Sequence, residues 1–247
     1  MEIAEHIRIV DTEGRALATA AEKAGVDAEV ATCPGWRIRD LVRHQGAVHR
    51  WATGFLTDAV TARRPMPDVP PGLDGDGLLA WYREGHRRLV DTLTAAPLDL
   101  ECFAFLPAPS PLAFWARRQA HETTVHRVDA ESALERPDQD AYGPVTEEFA
   151  VDGIDELLSG FHARSRSRVR SDTPRLLRVR ATDADAVWTV RITQDPPTAE
   201  RGAVGDAECE VSGPAARLYL ALWNRLPFPD VTGDAALAAL WRERSGI

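Results

Sequence analysis

The stretch of this 247-residue chain with the clearest chemical potential is Arg118-Gln119-Ala120-His121-Glu122-Thr123-Thr124-Val125-His126-Arg127-Val128-Asp129. On a helix Glu122 and His126 are i,i+4 neighbours, so a carboxylate and an imidazole project from one face. Asp129, three residues further on, can orient the His126 ring, as carboxylates do behind metal-binding histidines. His121 points elsewhere. A transition-metal site takes about three or four donors, drawn from more than one element. The segment around 38–59 offers His44 or His49, which are five apart and do not comfortably face one point. Asp40, four residues before His44, shares its face and could support it. Taken alone, the E-x-x-x-H spacing equally describes a surface ion pair or a hydrogen-bonded polar cluster.

The elements that must position these side chains are helical in the first half. Between Glu2 and Ala24 the apolar residues Ile3, Ile7, Val10, Leu17 and Ala21 recur mainly three or four apart, and Gly25 supplies a stop. Gly14 weakens the expectation that this helix is unbroken. A turn at Pro34-Gly35 opens a second helix, about 38–59, with Asp40 in the first turn where the helix dipole favours a carboxylate. The Pro- and Gly-rich stretch 65–77 marks a loop. A third helix is expected over 78–95 and a fourth over 112–134, after Pro107, Pro109 and Pro111. Four amphipathic helices with connections of uneven length predict a four-helix bundle.

The second half changes period. Residues 145–161 are still helical, but Leu177, Val179 and Ala181 alternate with Arg178, Arg180 and Thr182, and Trp188, Val190 and Ile192 with Thr189, Arg191 and Thr193. That is a β-hairpin pattern. A third strand near 208–211 leads to Ser212, a plausible N-cap for a helix over 215–226, and a short helix over 235–242 follows. Strands grouped with helices and lacking strict βαβ alternation predict a small α+β domain. His6, His86 and His162 fall on polar or boundary positions and are expected to be solvated or hydrogen-bonded. The arginines between Arg164 and Arg180 are expected on a solvated face.

Composition excludes several partners. Acids outnumber bases 38 to 29, a formal charge of −9, which disfavours nucleic acid and anionic membranes. Cys33, Cys102 and Cys209 are widely spaced, so a disulfide framework or thiolate zinc cluster is not expected. With no signal-peptide pattern and no apolar run of about 20 residues, a cytoplasmic protein is expected.

The run Cys33-Pro34-Gly35-Trp36-Arg37-Ile38-Arg39-Asp40-Leu41-Val42-Arg43-His44, followed by Glu122, His126 and Asp129, resembles the mycothiol-dependent maleylpyruvate isomerase family. The resemblance implies an α+β protein, with a DinB-like metal-binding four-helix bundle over 1–139 and a smaller α+β domain over 140–247 similar to sterol-carrier folds. It implies that His44, not His49, joins Glu122 and His126 as metal ligands, with Asp129 and Asp40 behind them. Arg225 matches an arginine important for the family's activity, in a catalytic and cofactor-binding role. Arg37 stands where many relatives carry a small hydroxyl residue, so the second helix is expected to start differently.

The implied cofactors are a divalent metal, zinc foremost, and mycothiol; the implied substrate is a small electrophile such as an unsaturated acid. Two imidazoles and a carboxylate leave a cation at least one open position. A thiol bound there is stabilised as thiolate, the nucleophilic form. Arg225 could clamp a carboxylate of substrate or cofactor through its planar fork. Two other functions fit the same residues: a hydrolase in which the metal activates water, and a non-catalytic ligand-binding or regulatory module.

Overall fold

The computed structural model describes residues 1–134 and 142–246. The chain divides into two compact units, Met1–Gly143 and Pro144–Ile247. The boundary expected between 139 and 140 lies outside the described residues.

The first unit contains four long helices: α1 (Ile3–Ala24), α2 (Ile38–Asp58), α3 (Gly75–Ala95) and α4 (Pro111–Ser132). Their ends follow local chemistry. The Gly25 N–H donates to the Ala21 carbonyl oxygen as the chain leaves α1 at φ 81°. At the start of α2 the Arg37 N–H donates to Asp40 Oδ2 at 2.9 Å, so the carboxylate of the third helical residue meets the N–H of the cap residue, the half of a capping box that needs no hydroxyl at 37. Asp74 accepts from the Gly75 N–H, which starts α3 three residues before the apolar pattern does. Ser110 accepts from the Ala113 N–H and Pro111 takes the first helical position of α4.

Packing pairs α1 chiefly with α4 and α2 chiefly with α3. One apolar cluster gathers Leu17, Ile38, Leu41, Leu78 and Tyr82. Elsewhere in the unit Trp51, Phe55, Phe103 and Trp115 stack or meet edge to face, and Trp115 Nε1 donates to the Phe103 carbonyl oxygen at 2.8 Å. The expectation of four amphipathic helices fails for α4. It is buried on nearly every side, and Arg118, Gln119, Thr123, Thr124, His126, Arg127 and Asp129 are among its buried residues. Such burial is tolerable because the polar groups find partners: Arg127 holds Glu13 and Glu131, each at 2.7 Å. The unpolarised pattern of α4 reflects a helix whose polar residues are buried inside the unit with the apolar ones.

Two histidines of this unit expected at polar or boundary positions, His6 and His86, are buried. His86 Nε2 lies 3.0 Å from the Val10 carbonyl oxygen. α1 runs unbroken through Gly14, and the same ring explains why that position is glycine: a Cβ there would come within 2.3 Å of the imidazole.

In the second unit α5 (Glu147–Asp155) runs on into a π-helical turn over Glu156–Phe161. The five strands β1 (Arg175–Ala181), β2 (Ala186–Ile192), β3 (Thr198–Arg201), β4 (Cys209–Gly213) and β5 (Asp230–Gly233) form one mixed sheet in the order β3-β2-β1-β4-β5. The predicted hairpin is antiparallel, with Val179 opposite Trp188, and β4 runs parallel to β1. Two further helices, α6 (Ala215–Leu222) and α7 (Ala235–Arg244), complete the α+β fold. Ser212 is not a cap: it lies within β4, Pro214 precedes α6, and Asp183 Oδ1 accepts from the Ala215 N–H at 2.7 Å. The helix also ends four residues before 226, where Asn224 turns to φ 63°. His162 is buried too, with Nδ1 3.1 Å from Ser167 Oγ. The arginines of β1 are partnered: Arg175 with Glu208 and Asp234, and Arg180 with Glu210. Among the described residues no helix is long and apolar enough to cross a membrane.

Two glycine substitutions test the packing of the first unit. At Gly14 overpacking against His86 costs about 1–3 kcal/mol, more than the roughly 1 kcal/mol that alanine gains in a helix interior. At Gly54, within α2, a Cβ meets nothing within 4 Å. Urea unfolding is expected to show Gly14→Ala destabilised and Gly54→Ala stabilised, the latter by roughly 0.5–1 kcal/mol.

Candidate metal centre

Two helices of the first unit bring three donors together. His44 sits in the second turn of α2, and Glu122 and His126 lie one turn apart on α4. His44 Nε2 is 3.5 Å from Glu122 Oε1, and His126 Nε2 is 3.4 Å from the same oxygen. One ligand atom from each of the three residues lies within 4.8 Å of the others. The two imidazoles meet edge to face with centroids 5.0 Å apart.

The site is graded in exposure, with the His44 side chain 32 % accessible, Glu122 21 % and His126 10 %. Behind His126, Asp129 is fully buried, and its Oδ2 lies 2.8 Å from His126 Nδ1. The other carboxylate oxygen accepts from Thr32 Oγ1 at 2.6 Å. Asp129 therefore accepts from Nδ1–H, and Nε2, which in the metal-free protein carries its proton toward Glu122, is the nitrogen left for a cation. Arg118, one turn before Glu122, donates from Nη2 to Glu122 Oε2 at 3.1 Å. That bond occupies one carboxylate oxygen and leaves Oε1 facing the histidines. Trp36 closes one side, 5.2 Å from the His44 ring and stacked at 6.3 Å on His126.

Electrostatics follow from these contacts. Burial alone would raise the pKa of Glu122, but hydrogen bonds with His126 and His44 and the Arg118 charge hold it well below the ordinary carboxylate range. Burial would lower that of His126, yet its bonds with Asp129 and Glu122 push it up to about 9. This donor set fits a divalent cation: two imidazole nitrogens and one ionised carboxylate oxygen converge, and the ring of one histidine is already fixed by a buried carboxylate.

The remaining candidates stand elsewhere. Asp40 does not support His44; it is spent on the Arg37 N–H, because a carboxylate at the third helical position reaches back to the cap more readily than forward by a turn. His49 is fully buried, in hydrogen-bond reach of Gln45 and Thr123, and is not one of the three converging donors. His121 is also fully buried and its ring contacts that of His6. Arg225 belongs to the second unit, two residues past the end of the Trp223 cap of α6, and donates from Nη1 to the Trp223 carbonyl oxygen at 2.8 Å. Cys33 is half-buried against the apolar cluster of the first unit. Sequence reasoning missed Arg118 and Thr32. The first left a signal, the i,i+4 spacing to Glu122; the second left none, since its bond to Asp129 spans 97 residues.

Comparison with known proteins bears on the whole chain. Residues 7–131 match the family model described as mycothiol maleylpyruvate isomerase N-terminal domain, and residues 148–240 match its C-terminal domain. The fold is similar to a crystal structure of the mycothiol-dependent maleylpyruvate isomerase, with a TM-score of 0.65 and 15 % identity, covering 95 % of this chain and 94 % of that one. A crystal structure of a histidine-to-alanine mutant of that isomerase is similar at a TM-score of 0.63 and 14 % identity, with the same coverage. No curated protein matches in sequence. At such identities the likeness of the solved structures is one of fold, and membership rests on the family models: the chain belongs to the mycothiol maleylpyruvate isomerase family.

Proposed function

We propose that this protein is a metal- and mycothiol-dependent isomerase or S-transferase acting on a small electrophile, such as an unsaturated acid. The observation that carries the reading is the convergence of His44, Glu122 and His126, with Asp129 buried behind His126. Its family and its similarity in fold to an isomerase named for mycothiol support the thiol and the reaction class. A divalent cation held by the three side chains, zinc being the best match to two imidazoles and a carboxylate, would favour the thiolate over the thiol of mycothiol.

The chain's own residues prepare that chemistry. Glu122 stays ionised because the histidines and Arg118 stabilise its charge more than burial penalises it. Asp129 holds the proton of His126 at Nδ1, so the nitrogen toward the site is the unprotonated one once a cation replaces the second proton. Thr32 fixes Asp129 in turn. Trp36 shields one side of the imidazoles from water. Arg225 takes the role of a clamp for a carboxylate of substrate or thiol, for which a planar guanidinium is suited; it is proposed on the family correspondence of residues 148–240.

Elemental analysis of protein purified without a histidine tag is expected to find about one divalent ion per chain, as a single three-donor site requires. His44→Ala, Glu122→Gln and His126→Ala should each remove most of it. Calorimetric titration of the metal-loaded protein with mycothiol is expected to show binding that His44→Ala abolishes. Equal metal content in all three variants overturns the ligand set, and turnover of small esters or amides without added thiol overturns the thiol reading.

The raised pKa of His126 fixes a second outcome. Its folded value, about 9, lies above the ordinary 6.5, so in metal-free protein the charged ring stabilises the fold fully below pH 6.5. That contribution is lost as pH rises through about 9. A cation must displace this proton. Calorimetry at pH 7.5 in buffers of different ionisation enthalpy is therefore expected to report release of about one proton from His126 per ion bound. Affinity should climb about tenfold per pH unit up to the folded pKa and then level. Binding that is independent of pH between 7 and 9 would show that His126 is not a ligand.

A further inference from the structure

The helices that carry the proposed ligands are not each other's main packing partners. α2 packs chiefly on α3, and α4 chiefly on α1. Ridges-into-grooves packing within those pairs leaves the register of α2 against α4 to a few cross-helix contacts. Toward one end, Trp51 and Phe55 of α2 meet Trp115 of α4, with ring centroids 5.3 Å apart in both cases. This contact is apolar, with no hydrogen-bonding group of its own between the two helices.

Between that contact and the ligands lies a polar one. Gln45 Nε2 donates to Thr123 Oγ1 at 3.2 Å, and His49 Nε2 lies 2.8 Å from Gln45 Nε2 and 3.1 Å from Thr123 Oγ1. All three side chains are fully buried. Gln45 directly follows His44 and Thr123 directly follows Glu122, so each arm of the contact is one residue from a donor. Burial pushes His49 well below the ordinary imidazole range and leaves the ring neutral, and Nε2 is the ring atom that enters the contact. With Gln45 donating to it, Nε2 is the acceptor. Buried hydrogen bonds between neutral groups are directional and costly to leave unmade, the property that lets a polar contact select one register over its neighbours.

We infer that Gln45, His49 and Thr123 form a cross-helix clasp that sets the register of α2 on α4 and so holds His44 Nε2 opposite Glu122 and His126. The three are positioning residues, acting through the ligands beside them. The inference rests on the metal-centre reading above, and it adds that metal affinity is controlled by a site that touches neither ion nor substrate.

Thr123→Val deletes the hydroxyl and keeps the shape. Zn²⁺ affinity, read by competition with a chromophoric chelator, is expected to weaken about 10–100-fold, the usual cost of losing a group that orients ligands. The visible spectrum of the Co²⁺-loaded protein is expected to shift, and Thr123→Ser, which restores the hydroxyl, to recover most of the affinity. Gln45→Met removes the other arm and is expected to reproduce the loss, which covers the case of a Thr123→Val protein that does not fold. Thermal midpoints of the metal-free variants are measured alongside, because a purely structural role lowers them while leaving affinity and spectrum in place. Wild-type affinity and spectrum in a folded Thr123→Val or Gln45→Met protein overturn the clasp alone, provided His44→Ala abolishes binding. Absence of Zn²⁺ and Co²⁺ binding in the wild type overturns the metal reading, and the clasp falls with it.

Discussion

A half-buried carboxylate that must stay charged is the constraint around which the candidate site is organised. Glu122 is flanked by two imidazoles on one oxygen and by Arg118 on the other. Removing a carboxylate from water costs several kcal/mol unless its lone pairs are met. Each of the three partners must therefore arrive within a few ångströms, and they come from two helices. The buried Asp129 behind His126, with the Thr32 hydroxyl on it, fixes one of those partners in place. Remove the carboxylate and much of the polar interior of α4 has no reason to be where it is.

The same constraint explains which features of the chain were legible. Helices α1 to α3 announce themselves because their apolar residues repeat at helical spacing and Gly25 and Asp40 mark an end and a start, whereas the Asp74 cap of α3 precedes its apolar pattern and is not legible from it. The hairpin of β1 and β2 is equally plain, since Leu177, Val179 and Ala181 are buried while the arginines between them are less so. By contrast β3 and β5 have four residues each and almost no buried side chain, so no alternation exists to be read. Ser212 shows how a local signal is overridden: its cap chemistry is genuine, but Gly213 at φ 151° and pairing with β1 keep it in the sheet, and the cap role passes to Asp183 from the hairpin.

At the site, local spacing carried half of the information. Glu122, His126 and Asp129 belong to one helix and their common face follows from 3.6 residues per turn. Whether His44 or His49 meets them depends on how α2 is rotated against α4, and five residues on a helix turn a side chain by more than a full revolution. No periodicity decides that rotation; the resemblance pointed to His44, and in the fold His49 turns inward to Thr123 instead. Asp40 illustrates the opposite error. Four residues before His44 it shares the right face, yet at a helix start the unsatisfied N–H of Arg37 competes for its carboxylate and wins.

Charge balance connects the site to the proposed chemistry. In the metal-free protein the negative charges of Glu122 and Asp129 are offset by Arg118 and by the proton that raises His126 to a pKa of about 9. Under the proposed function the proton stands where a cation would bind. Exchange of that single positive charge for a doubly charged ion leaves the cluster one charge positive, in a place where burial weakens screening. An excess of that sign favours an anionic occupant over a neutral one, which is what a thiolate or a substrate carboxylate supplies. A structural zinc closed by thiolates has no such excess. The two features that look unrelated in the sequence, a histidine backed by aspartate and a glutamate backed by arginine, are therefore parts of one electrostatic arrangement: under the proposed function the first would yield its proton to a metal, and the second would keep a charge in place for that metal without cancelling the excess that draws in an anion.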